Sequence, residues 1–83
     1  MNTQEIQNKL ANYITKEILK QPKRVIQEQD VLISSGMIDS FHLVDIALFV
    51  EQAFGVKIED TELNADTFDT LGELTALIQQ RLA

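Results

Sequence analysis

Few side chains in this sequence could do chemistry, and they gather around one dipeptide, Asp39-Ser40, with His42 and Asp45 close behind. The chain has no cysteine and a single histidine. A disulfide framework, a thiolate nucleophile, a Cys/His pair and a multi-histidine metal site are therefore excluded. Ser40, His42 and Asp39 or Asp45 make a Ser/His/Asp set on paper. Residues two apart on a helix point to different faces, so Ser40 and His42 do not converge as a hydrolase needs. Asp60, Glu62, Asn64 and Asp66 have the look of a calcium loop. Its sixth position would be Ala65 instead of glycine and its twelfth Leu71 instead of a bidentate glutamate, so that reading is rejected. No Gly-rich phosphate loop, zinc spacing or paired-carboxylate signature is present. No residue is assigned a catalytic or metal-binding role, and the chain does not read as an enzyme.

What remains is the hydroxyl of Ser40. It stands where the loop Gly36-Met37-Ile38-Asp39 meets the start of the most strongly patterned helix. A hydroxyl there can cap free backbone N–H groups, and taken alone that is the commoner role. If the oxygen carried a phosphate, the same N–H groups and the positive end of the helix dipole would favour it.

The elements that must position this residue follow from the apolar pattern. Ile6, Leu10, Tyr13, Ile14 and Ile18 recur at spacings of three and four, which predicts a helix over about residues 3–19. Lys16 and Lys20 suit its C-terminal end, and Pro22 closes it. Residues 20–39 form a long connection, yet it holds Val25, Ile26, Val31, Leu32 and Ile33. Such loops are uncommon and often functional. Val25 or Ile26, and Leu32 or Ile33, are expected to pin it to the core.

The second helix, about 40–54, places Leu43, Ile46, Ala47, Val50 and Phe54 on one face at about 100° per residue. Phe41, Val44 and Leu48 form a second, narrower apolar stripe flanked by Asp45 and Gln52. A helix in a small domain needs only one buried face. The stripe is either a docking surface or is covered by the loop or another helix. Gly55 ends the helix. Asp60 opens one short helical turn at Thr61-Glu62-Leu63. The last helix spans about 70–82, with Thr70 and Glu73 as a capping box and Leu71, Leu74, Leu77, Ile78 and Leu82 as its apolar residues. Phe68 is an expected core anchor. Gly72 weakens that helix unless something packs closely against it. The expected fold is all-α: a single domain, residues 1–83, of three main helices and one short one with a long first connection.

Eighty-three residues with net charge −6 carry their charge unevenly. Residues 1–24 hold five basic residues against two acidic ones, whereas residues 25–83 hold Lys57 and Arg81 against eleven acidic residues. Such a surface repels nucleic acid and anionic lipid and suits basic protein partners. No apolar run has membrane-spanning length and nothing resembles a signal peptide, so a cytoplasmic protein without membrane insertion is expected. Nothing resembles a coiled-coil seam, so a monomer is expected.

At Asp39-Ser40, followed by the helix Phe41–Phe54 and Gly55-Val56-Lys57-Ile58, the sequence resembles the carrier-protein family of acyl carrier and peptidyl or aryl carrier proteins. The match includes Leu32-Ile33-Ser34-Ser35-Gly36-Met37-Ile38, Val44-Asp45-Ile46, Val50-Glu51-Gln52-Ala53, Asp66-Thr67-Phe68 and Thr70-Leu71-Gly72-Glu73-Leu74, and covers about residues 5–82. The resemblance implies that Ser40 carries 4′-phosphopantetheine, transferred from coenzyme A by a phosphopantetheinyl transferase, and so becomes a phosphoprotein site. The arm would supply the thiol that the chain itself lacks. Asp39 would help present the serine. Phe41, Val44, Asp45 and Leu48 would face partner enzymes: an acyl- or aminoacyl-loading ligase, and synthases or transferases. The inner apolar residues would line a cavity able to shelter a bound chain.

The sequence also departs from that family. Phe41 stands where leucine is usual, only Asp45 and Glu51 supply acid along the second helix, and Phe49 lies mid-helix. These departures fit a carrier in a specialised lipid, polyketide or lipopeptide pathway better than one in general fatty-acid synthesis. The alternatives are an aminoacyl or aryl carrier of peptidyl type, or a helical interaction module with no arm.

Overall fold

The computed structural model describes residues 2–82. Helix α1, Thr3–Tyr13, starts at Asn2, whose side chain accepts from the Glu5 N–H at 2.8 Å. Its apolar spacing runs on, but its hydrogen bonding changes: Ile14–Ile18 is a π-helical turn, closed by Leu19 N–H donating to the Ile14 carbonyl. Buried Thr15 accompanies the change, its hydroxyl donating to the Ala11 carbonyl at 3.0 Å. That back-bond competes for a helical acceptor and widens the turn. The first helical segment therefore ends at Ile18, a little short of the expected 19. Lys20 takes a left-handed conformation, φ 56°, and breaks the helix before Pro22 is reached. Pro22 is thus not the residue that closes it.

Helix α2 is Ser40–Phe54 and ends on Gly55 at φ 70°. A 3₁₀ turn, Asp60–Glu62, follows, and then α3, Leu71–Leu82. Among the described residues there is no strand beyond one isolated antiparallel bridge, Val31 to Thr70. The all-helical expectation and the positions of its elements agree with this.

One core joins the elements. Ile6, Leu10, Ile14 and Ile18 meet Leu43, Ile46, Val50 and Phe54, and Leu71, Leu74 and Ile78. Fully buried Phe68 anchors the approach to α3, and alternate residues Val56 and Ile58 point inward. The long connection contributes Ile26, Leu32 and Ile38, each buried, while Val25 is exposed. Burying a side chain of this size is worth about 1.5–3 kcal/mol, enough for three anchors to hold the connection down.

Gly72 has the close neighbour its position called for. A Cβ built there would lie 2.6 Å from Glu28 Cγ and 3.2 Å from the Glu28 carbonyl oxygen. The Gly72 N–H donates to that same carbonyl at 2.8 Å. The missing side chain lets the loop lie against the first turn of α3.

Candidate functional site

The site is built at the start of α2. Asp39 is extended, φ −89° and ψ 175°, and its carboxylate accepts from the His42 N–H at 2.9 Å. Asp39 is therefore the cap. Ser40 is the first helical residue, it is exposed, and among the described residues its hydroxyl has no hydrogen-bond partner. The plain capping role open to Ser40 from the sequence belongs to its neighbour. The His42 imidazole leans back on Asp39, Nδ1 to Oδ1 3.2 Å, away from any link to the serine hydroxyl.

The loop before Ser40 is tightly folded. Gly36, at φ 80°, donates its N–H to the Ile33 carbonyl, and the Ile38 N–H donates to the Leu32 carbonyl, both at 3.0 Å. Ser35 Oγ donates to the Val31 carbonyl at 2.6 Å and accepts from the Met37 N–H at 3.2 Å. Ile38, buried, fixes the last step before the cap.

Two groups that the sequence did not single out hold this loop from outside. Asp69 accepts from the Ile33 N–H at 3.0 Å and the Ser34 N–H at 2.8 Å through one oxygen, and from Ser34 Oγ through the other. These bonds, the Ser34 hydroxyl foremost, hold the Asp69 carboxyl below its usual range. Its carbonyl also accepts from the Leu32 N–H at 2.6 Å. The partners lie 35 and 36 residues away, and only the neighbouring capping box could have drawn attention to the position.

The second stripe of α2 faces outward. Phe41 is 83 % exposed, Val44 49 % and Leu48 54 %, so neither the loop nor another helix covers them. Asp45 and Gln52 are exposed beside them. Phe49 lies about half a turn round from Ser40 and ~13 Å along the axis. There it stacks on Tyr13, centroids 4.2 Å apart, and the Tyr13 hydroxyl donates to the Asp45 carbonyl at 3.3 Å. Burial, then the nearby Asp45 and Glu17 charges, push the Tyr13 phenol up. A surface groove lined by Lys9, Tyr13, Lys16, Phe49 and Ala53 opens at this point. The inner residues Leu43, Ile46, Val50 and Phe54 are packed into the common core.

Of the calcium-like acids between α2 and α3, Glu62 is engaged within the protein. Glu62 pairs with Arg81, whose guanidinium also donates to the Lys57 carbonyl at 3.0 Å. The pairing lowers the Glu62 carboxyl to about 2.

Comparison with known proteins gives this geometry its context. The family model for the phosphopantetheine attachment site matches residues 8–78. An acyl carrier protein of Thermotoga maritima is 29 % identical over 79 residues, 95 % of this chain and 94 % of that protein. One from Coprothermobacter proteolyticus is 29 % identical over 82 residues, 99 % of this chain and 96 % of its own. The probable acyl carrier protein PigG of a Serratia species is 28 % identical over 75 residues, 90 % of this chain and 86 % of its own. The chain belongs to the acyl carrier protein family, whose members are carriers, not enzymes, and bear a covalent 4′-phosphopantetheine group.

Proposed function

We propose that Ser40 is the attachment point of the phosphopantetheine arm and that residues 1–83 act as one carrier domain, delivering acyl groups to partner enzymes. The observation that carries this reading is the uncommitted, exposed hydroxyl of Ser40 at the first position of α2. Asp39 takes over the capping that a serine in this place would otherwise do. The fit to a phosphate is favourable, because the dipole is positive here and no hydrogen bond within the protein occupies the Ser40 or Phe41 N–H among the described residues. When attached, the arm supplies a thiol that holds acyl groups as thioesters. The chain's own part is to present the serine, expose a docking face and raise the local concentration of the tethered cargo.

Asp39 serves as the presenting residue by fixing the helix start. Phe41, Val44, Asp45 and Leu48 form the face offered to the phosphopantetheinyl transferase, to a loading ligase and to synthases or transferases. The exposure of the three apolar residues beside Ser40 supports this reading. The neutral Gln52-Ala53 make the second helix less acidic than a general fatty-acid carrier would have it, and Phe41 replaces the usual leucine; both departures favour a specialised lipid, polyketide or lipopeptide pathway. Among the described residues no helix is long and apolar enough to cross a membrane.

The test is intact-protein mass after incubation with coenzyme A and a broad-specificity phosphopantetheinyl transferase, with Ser40→Ala alongside. The expected result is a gain of one phosphopantetheine group, absent from the variant. No gain in the folded wild type would favour an interaction module that uses the exposed stripe alone.

A further inference from the structure

We propose that Asp69 is a positioning residue for the transfer of phosphopantetheine to Ser40. This rests on Ser40 being the attachment point. Asp69 lies beyond α2 in the chain, directly before the cap of α3, and is not part of the Ser40 loop. Yet it is where that loop is tied to the rest of the fold. Its carboxylate receives the Ile33 N–H, the Ser34 N–H and the Ser34 hydroxyl, and its carbonyl receives the Leu32 N–H. Ile33 and Leu32 in turn accept from Gly36 and Ile38 at 3.0 Å. A continuous set of hydrogen bonds therefore runs from the start of α3 to Ile38, the residue before the Asp39 cap. Removing the Asp69 carboxylate leaves two backbone donors and one hydroxyl without their acceptor, while the backbone bond from Leu32 stays. The Leu32 N–H bond to the Asp69 carbonyl and the buried Leu32 and Ile38 then remain as the restraints on where Ser40 is presented, with Ile33 and Ser34 released between them. A displacement of about 1 Å at a reacting group can cost on the order of a hundredfold in rate.

Geometry also predicts which replacement restores the function. One carboxylate oxygen receives both backbone N–H groups, and the other receives only the Ser34 hydroxyl. Asparagine can reproduce this: its carbonyl oxygen accepts the two N–H groups and its amide donates to a rotated Ser34 hydroxyl. Alanine can reproduce none of it.

The test is the steady-state rate of phosphopantetheine transfer from coenzyme A by one transferase, measured well below the melting temperature of each variant. Asp69→Ala should lower kcat/KM for the carrier about tenfold or more, and Asp69→Asn should remain within about twofold of wild type. Thr70→Ala is the control for stability alone. It removes the α3 cap next door but leaves the Asp69 acceptor in place, and it should also remain within about twofold.

A second readout needs no transferase. Backbone amide exchange at Ser34, Gly36 and Ile38 should rise in Asp69→Ala, with the core amides of Val50 and Ile78 unchanged. Wild-type kcat/KM in a folded Asp69→Ala, an equal loss in Thr70→Ala, or unaltered loop exchange would overturn the proposal. If wild-type protein gains no arm, the Ser40 reading falls and the role in transfer falls with it. If wild type and Asp69→Ala are modified equally, only the positioning role falls.

Discussion

Helices α2 and α3 begin alike and then part. In each, the side chain of the cap residue accepts from the N–H three positions on: Asp39 from His42 at 2.9 Å, Thr70 from Glu73 at 3.1 Å. At the second helical position the two differ. In α3 the Gly72 N–H is taken by the Glu28 carbonyl, and Glu73 reaches back to the N–H groups of Asp69 and Thr70. In α2 the equivalent N–H, on Phe41, has no partner among the described residues, and neither does the hydroxyl of Ser40. One start is closed by the protein and the other is left for something else. Closing a helix end gains stability, whereas leaving one open keeps donors for an incoming anion. A chain of this size depends on packing and caps, so the open end stands out against its partner.

The comparison breaks most plainly at Ser40. Ser40→Ala is expected to abolish the gain of phosphopantetheine in intact-mass measurements while leaving the melting temperature unchanged, since the hydroxyl supports nothing in the fold. Next in size is Gly72→Val, which forces side-chain atoms into Glu28. Overpacking of this kind costs about 1–3 kcal/mol, read as a lower urea midpoint. The matched pair Asp39→Ala and Thr70→Ala sharpens the contrast. Each loses one cap and about 1 kcal/mol. Only Asp39→Ala should also slow transfer to Ser40; equal transfer rates in the two variants would remove the functional distinction between the helix starts.

Acid should act through the carboxylates that the fold holds by hydrogen bonds. The Arg81 hydrogen bond lowers the Glu62 carboxyl from 4.5 to about 2, and the Ser34 hydroxyl lowers Asp69. A depressed folded value means stability that is complete above the unfolded value and is lost as pH falls through the folded one. Urea midpoints should therefore decline as pH falls from 4.5 toward 2, and Arg81→Gln should flatten the part due to Glu62. The Glu59 charge lies in the same cluster and also stabilises protonated Arg81. Smallest of all, Leu48→Gln should shift stability by no more than about 0.5 kcal/mol, as for an exposed site, while weakening partner association in a binding assay.

The sequence revealed what depends on near neighbours. The Thr70/Glu73 box, the Gly55 stop, the two faces of α2 and the short turn at Asp60 all rest on contacts within four residues or on helical periodicity. Ile26 rather than Val25, and Leu32 ahead of Ile33, could not be chosen in advance, because adjacent apolar residues compete for one inward position. The π-turn at Ile14–Ile18 keeps an apolar spacing compatible with an α-helix and changes only the hydrogen bonds, so periodicity passes over it. At the site, Ser40 and Asp39 were legible from type and position, but which of them caps is a matter of one residue of register. Asp69 and the Glu62–Arg81 pair were not legible at all. Their partners are 35 and 19 residues away, and no local pattern records such pairings.

The outward stripe of Phe41, Val44 and Leu48 also limits how long an encounter can last. Full burial of a side chain of this kind gains about 1.5–3 kcal/mol, and Val44 and Leu48 are already about half covered. Joining two bodies costs at least about 4 kcal/mol in lost translational and rotational freedom. Under the proposed docking, three such contacts leave little surplus, so differences between partners would lie mainly in how fast each one lets go. A small patch beside the attachment point suits a shuttle: each visit is brief, and the next enzyme finds the carrier already released.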